Sequence, residues 1–329
     1  MSHLTVIMQW VVIIIGMVIT TVALILLAGY VVYLERRGLA ILQDRYGPNR
    51  CGPFGLLQPI ADAVKLLTKE CFQPPFADKF LYNLAPRLVV FSVLLGFVVI
   101  PVAPGISWAG DFNIGLLFVL ALSSLHVYGV FIGGWASQSK YSQLGSVRTI
   151  AQLVSYELAM SLSLLGVIIF SGSFSLTRIV EQQSIPYIIL QPLGFIVFML
   201  SGIAETHRLP FDMPEAENEL ASGYNTEYGG MAFAMFFLGE YLGIILIAAL
   251  TTTLFLGGWR GPFVAEYPWT GIIWFGLKTV IIVLLFIWMR ASVPRTRYDQ
   301  LLKLGWKYLL PASLLNVIFT ACIASFWMI

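Results

Sequence analysis

The chain has 329 residues, of which 58% are hydrophobic and 11% charged, and its formal net charge is +2. Mean hydropathy is +0.85, too much apolar surface for a soluble domain of this length to hide in one core. The small positive balance does not point to nucleic acid. Three scattered cysteines (Cys51, Cys71, Cys322), with no Cys-x-x-Cys, give no support to a disulfide framework or to an iron–sulfur or zinc site.

Eight apolar runs follow, each a candidate to cross roughly 30 Å of hydrocarbon. The first, Met8–Tyr33, has no basic region ahead of it and is too long for a signal-peptide core, so it reads as a retained helix. Behind it, Gly55–Cys71 reads as an amphipathic helix. Leu56, Ile60, Val64, Leu67 and Cys71 recur at three- and four-residue spacing, away from Asp62, Lys65 and Lys69. Pro59 falls in its first turn, where proline is tolerated. Such a helix lies along the membrane interface.

Next come Leu88–Val102, Ile114–Gly134, Val154–Phe170, Ile188–Ala204, Phe236–Leu256, Ile272–Met289 and Tyr308–Ile329. The second and fourth runs are short, and each is expected to borrow a turn from its flanks. Gly129-Val-Phe-Ile-Gly133 is a small-xxx-small step suited to close helix packing. No internal repeat, low-complexity linker or second domain is visible. The predicted class is therefore all-α: residues 1–329 form a single polytopic membrane domain with about eight transmembrane helices, an interfacial amphipathic helix and ordered cytoplasmic loops.

Sixteen of the nineteen Lys and Arg residues fall on one side of these runs. The other side holds Arg178 and Arg260, and Lys278 lies inside a span. By the positive-inside rule the basic side is cytoplasmic and both termini lie outside. The net charge thus reflects topology. The ionisable groups gather in the cytoplasmic loops, which suggests a docking face there.

Ionisable groups inside the spans are costly and tend to serve ion movement. Glu157 and Glu240 lie within helical stretches; a neutral, hydrogen-bonded packing role is the competing reading for each. Lys278 can snorkel toward the outer headgroups. Between the fifth and sixth runs, Glu205–Tyr224 and Glu227 hold six of the chain's seventeen acids: Glu205, Asp212, Glu215, Glu217, Glu219 and Glu227. Only Arg208 and His207 oppose them. Like charges packed at a low-dielectric boundary raise one another's pKa values, so some of these loop acids hold protons near neutral pH.

Asp212 can cap a short helix, with Glu215 as capping-box partner and Gly223 as its stop. Capping accounts for one or two acids, not six. Glu157, Asp212, Glu215, Glu217, Glu219, Glu227 and Glu240 are read as a carboxylate relay from the cytoplasmic rim into the bilayer. Calcium or magnesium binding is the rival, but the Asp/Asn/Gly ligand spacing it needs is missing. An independent ion transporter would be expected to show inverted repeats. A plain anchor for a soluble partner leaves the two buried acids unexplained.

Neither a Gly-x-Gly-x-x-Gly nor a Gly-x-x-x-x-Gly-Lys-Ser/Thr loop occurs, so any electrons come from another polypeptide. Four blocks are specific enough to carry a resemblance: Glu35-Arg-Arg37 with Gln43–Arg50, Gly55–Glu70, Pro210–Gly223 with Glu227-Tyr, and Arg290–Gln300. Through them the chain resembles the respiratory complex I subunit 1 family, whose bacterial members belong to proton-pumping NADH:quinone oxidoreductase. The blocks span the chain in the family's order.

The resemblance implies a membrane-arm subunit with no complete active site of its own. It would form much of the tunnel by which quinone, expected to be ubiquinone, approaches the last iron–sulfur cluster. The tunnel entrance would lie among the first helix, the interfacial helix and the sixth span. Glu35, Arg36, Asp62, Lys65, Arg295 and Arg297 are by position the candidates for its polar wall. FMN and the iron–sulfur clusters would sit in partner subunits, with the peripheral redox arm on the cytoplasmic face and antiporter-like subunits in the membrane. The implied location is the bacterial inner membrane. The alternative is a homologous component of a membrane-bound hydrogenase, or of an F420H2- or formate-linked complex.

Overall fold

The computed structural model describes residues 2–108, 110–213 and 221–327. Their regular elements are helices, and the chain divides into two compact units, Met1–Lys65 and Leu66–Ile329. Among the described residues seven helices are long and apolar enough to cross a membrane, and the chain is a multi-pass membrane protein.

In the first unit, α1 (Ser2–Leu42) is a long apolar helix, and only 11% of an 18-residue apolar stretch of it is buried. The loop behind it folds back on the helix. Tyr33 donates to the Phe54 carbonyl at 2.7 Å, and Arg37 donates to both the Tyr33 hydroxyl and that carbonyl, at 2.6 and 3.2 Å. Gly55 (φ +78°) is forced here, since a Cβ would lie 2.2 Å from the Pro48 carbonyl oxygen. The next helix, α2 (Gln58–Thr68), has no buried residue, and its apolar stripe of Ile60, Val64 and Leu67 is exposed. That is the surface expected of an interfacial helix.

The second unit begins with α3 (Lys79–Gly96), which starts nine residues before the apolar run at Leu88. Asp78 caps it, accepting from the Phe80 and Leu81 amides at 3.0 and 3.1 Å. Pro86 inside α3 leaves the Tyr82 carbonyl without its helical donor. The Tyr228 hydroxyl approaches that carbonyl and the Gly133 carbonyl, each at 3.3 Å. Burial pushes the Tyr228 hydroxyl up, so it stays a protonated donor.

After α3 come α4 (Gly115–Ala136), α5 (Lys140–Ser171), the short α6 (Leu176–Gln182) and α7 (Tyr187–Leu190), and α8 (Pro192–Glu205). The fifth apolar run is thus broken at Gln191, where Pro192 cannot donate and becomes the first residue of α8. The fourteen residues of α8 reach roughly 21 Å, so α8 is shorter than the seven spans. Then come α9 (Gly230–Phe255), α10 (Thr270–Ser292), α11 (Tyr298–Lys303) and α12 (Leu310–Trp327), the last two joined by a π-helical turn, Leu304–Leu309.

Within this unit α9 is the most enclosed span, 67% buried against 33% for α10. The Gly129–Gly133 step serves packing. A Cβ on Gly129 would meet Val89 at 2.6 Å, and one on Gly133 would meet Phe236 at 3.0 Å.

The cations outside the basic side are spent on the chain itself. Arg178 pairs with Asp111 at 2.9 Å. The Ser175 hydroxyl, together with Arg178, holds the Asp111 carboxyl below the usual carboxylate range. Arg260 donates to the carbonyls of Glu181 and Gln183. Lys278 donates to the carbonyls of Leu256, Gly258 and Arg260 at 2.7, 3.0 and 2.7 Å. These carbonyls follow the C-terminus of α9, where a cation is favoured.

Candidate functional site

The intramembrane acids predicted from sequence sit on the walls of one polar system in the second unit. On α5, Glu157 accepts hydrogen bonds from Ser123 (3.4 Å) and Ser124 of α4. Glu205, at the end of α8, is near enough to Ser123 and to Glu157 for both to act on its carboxyl. Two carboxylates from different helices are therefore neighbours beside Ser123.

Glu240 lies on α9, 5% exposed. The Tyr224 hydroxyl donates to it at 3.0 Å, and Arg208 approaches it at 3.9 Å. The Arg208 guanidinium also stacks over Tyr241, 4.1 Å from the ring centre. Tyr224 is delivered by the turn Gly223–Asn225, which packs against α5 at Gly145. A Cβ there would lie 2.8–2.9 Å from the backbone of Gly223 and Tyr224.

Between these carboxylates is a cavity of about 30 Å³ lined by Ser123, His126, Glu205, His207, Glu240 and apolar neighbours. The segment behind α8 is pinned to present its side chains there. Buried Gln152 donates to the Ala204 and Phe211 carbonyls, both at 2.8 Å. The His207 backbone takes a left-handed φ of 53°, rare for a residue with a Cβ. Its ring centre lies 6.4 Å from that of His126 and 6.4 Å from that of Tyr224. Burial, reinforced by His126 and Arg208, pushes His207 from its ordinary 6.5 down to about 3, so its imidazole is neutral.

The remaining predicted acids are placed less centrally. Asp212 is half-buried, and Arg295 donates to its backbone carbonyl. The Glu227 carbonyl accepts from Tyr82 at 2.7 Å. Glu215, Glu217 and Glu219, and with them the short helix expected after Asp212, lie outside the described residues.

Of the candidate quinone wall, four residues belong to the first unit. Glu35 is buried, Arg36 pairs with Asp62 at 2.8 Å, Gln58 donates to Asp62 at 3.1 Å, and Lys65 lies in the last turn of α2. In the second unit Arg297 faces solvent, beside Asp299 at 3.6 Å. Among the described residues no three His, Cys, Asp or Glu side chains converge on a metal ion, and the cysteines are free.

Sequence reasoning passed over His126, Tyr224 and the serine pair, and treated Glu205 and His207 only as part of the acidic loop. A signal was present: Ser123 and His126 are three residues apart in an otherwise apolar span, hence on one helical face.

Fold and site together define a multi-pass membrane protein with buried ionisable groups gathered about an internal cavity. A sequence model described as NADH dehydrogenase matches residues 14–321, and the chain belongs to that family. Its relatives include NADH-quinone oxidoreductase subunits of the H type. The chain is 53% identical to one from Geobacter metallireducens over 306 residues, covering 90% of this chain and 92% of that protein. It is 52% identical to one from Geobacter sulfurreducens (91% and 92%) and 51% identical to one from Rhodopseudomonas palustris (94% and 98%).

Proposed function

We propose that the chain is the membrane subunit of an NADH:quinone oxidoreductase that forms part of the quinone path and couples quinone reduction to proton translocation. The observation that carries the coupling role is the proximity of Glu157, on Ser123, to Glu205, with Ser123, Glu205 and Glu240 lining the same cavity. A group that gains or loses a proton there changes the field felt by every other group on the cavity, because the surroundings are poor in water. Reduction of quinone at the cytoplasmic rim adds negative charge. The acids of the loop and then Glu240, Glu205 and Glu157 respond by moving protons inward.

Glu35, Arg36, Asp62, Lys65, Arg295 and Arg297 supply polar groups for the quinone head, while apolar surface takes its tail. The quinone is read as ubiquinone. Peripheral subunits carrying FMN and iron–sulfur clusters dock on the basic cytoplasmic face, and antiporter-like subunits adjoin in the membrane. The bacterial inner membrane, with both termini outside, fits the charge distribution. The relatives' names favour NADH as the electron source over hydrogen, F420H2 or formate.

The test is proton translocation per electron in membrane vesicles carrying the assembled complex with Glu157→Gln or Glu240→Gln. Each substitution keeps shape and hydrogen bonding but removes the titrating proton. A drop of several-fold in protons moved per NADH is expected. Unchanged stoichiometry in both variants would falsify the relay.

A further inference from the structure

The cavity holds a feature that carboxylates alone do not account for. His126 and His207 are 9% and 2% exposed, and both line it. His126 hydrogen-bonds the backbone of Val89 through one edge, and its Nδ1 has no partner among the described residues. His207 has no partner there at either ring nitrogen, and neither has Glu205 at Oε2. Burying four polar atoms with no partner is unfavourable. A cavity of about 30 Å³ has room for roughly two waters, and water would satisfy them. A metal is the other occupant histidines suggest, but the ligand geometry is missing among the described residues.

We propose that the cavity holds a short file of water, anchored by His126, and that His207 passes protons along it between Glu205 and Glu240. A neutral imidazole accepts a proton at one nitrogen as it releases the other nitrogen's proton, so it shuttles without holding charge. In one passage the Glu205 carboxyl gives its proton to water, and that water protonates a bare nitrogen of His207. The opposite nitrogen releases its proton, by way of a second water, to the Glu240 carboxylate. Glu205 ends ionised and Glu240 neutral, and the net change is one proton moved. His207 is left in its other tautomer and is reset by the reverse passage or by rotation of its ring. His126, whose other nitrogen is held by the Val89 backbone, offers only Nδ1 to the same water and anchors the file. The charged groups nearby are Arg208, beside Glu240 on the loop side, and Glu157, beyond Ser123 on α5.

This inference rests on the relay proposed above, so the experiment must separate the two. Protons moved per NADH oxidised are measured in vesicles with the assembled complex for His207→Gln, His126→Gln, the double variant and Glu157→Gln. Glutamine fills the space and binds water but cannot shuttle. The double variant is expected to lower the stoichiometry at least threefold, and His207→Gln alone to lower it at least twofold. A merely structural polar role would leave both glutamine variants at the native value. If Glu157→Gln lowers the stoichiometry and the histidine variants do not, the histidine shuttle is wrong and the carboxylate relay stands. If none of them lowers it, both fail. Should the double variant not assemble, the two single variants decide by the same criterion.

Discussion

At the scale of single residues, His207 has a thermodynamic consequence independent of any transport role. Its imidazole is held neutral by burial, down to about 3, whereas an unfolded histidine titrates near 6.5. Above about pH 6.5 neither state is protonated, and the group contributes no pH dependence. Below that, the unfolded chain takes up a proton that the folded chain refuses until about pH 3. Stability should therefore fall by up to about 1.4 kcal/mol per pH unit as the solution is acidified. Melting of the solubilised complex followed from about pH 7.5 to 5.5 should lose its acid slope in part in His207→Gln; parallel curves for variant and native complex would refute the buried neutral state. Glu157 and Glu240 stand out in a sequence because a carboxylate amid apolar residues is rare. A histidine in an apolar span looks like any satisfied core histidine until its neighbours are known. Glu205 was legible as an acid, but its meeting with Glu157 depends on contacts between α8, α4 and α5 that no local pattern encodes.

At the scale of elements, the apolar runs were legible and the helix ends were not: eight runs were read as spans, whereas seven described helices are long enough to cross and the fifth run yields only the shorter α8. Hydropathy marks the apolar middle of a span. The start of α3 depends instead on the Asp78 cap, ahead of Asn83, Pro86 and Arg87, which break the apolar run; Tyr82 in this stretch is buried against Glu227 and Tyr228. The split at Gln191 was readable from Pro192, since proline inside a helical pattern displaces the boundary. The approach of the Gly223–Asn225 turn to α5 was not readable, because nothing in the sequence ties Gly145 to Gly223. That approach yields a prediction. In Gly145→Ala the new methyl faces backbone at 2.8–2.9 Å, and neither chain can yield like a flexible side chain. Overpacking of this kind costs about 1–3 kcal/mol. It would also move Tyr224 off Glu240, so the variant should both melt earlier and translocate fewer protons per electron. A variant with a lowered melting temperature and native coupling would show that the Tyr224–Glu240 contact is dispensable.

At the scale of the whole molecule, the two faces of the membrane domain handle positive charge differently. Arg178, Arg260 and Lys278 are bound to the chain's own carboxylate and carbonyls, where they hold short loops against helix ends. In the predicted topology the other sixteen Lys and Arg residues fall on the opposite side, an excess that membrane insertion reads as cytoplasmic. Cations tied to backbone oxygens can be tolerated on a translocated face because they present little free charge. The orientation is open to direct measurement with Cys51, Cys71 and Cys322 replaced by serine. Glu266 and Lys140 are exposed on opposite sides of the predicted topology. A membrane-impermeant maleimide added to intact cells should label Glu266→Cys and spare Lys140→Cys, and inverted vesicles should reverse the pattern. Labelling of Lys140→Cys from outside would invert the domain, place the acidic loop on the outer face, and remove the quinone path from the side where the electrons are expected to arrive.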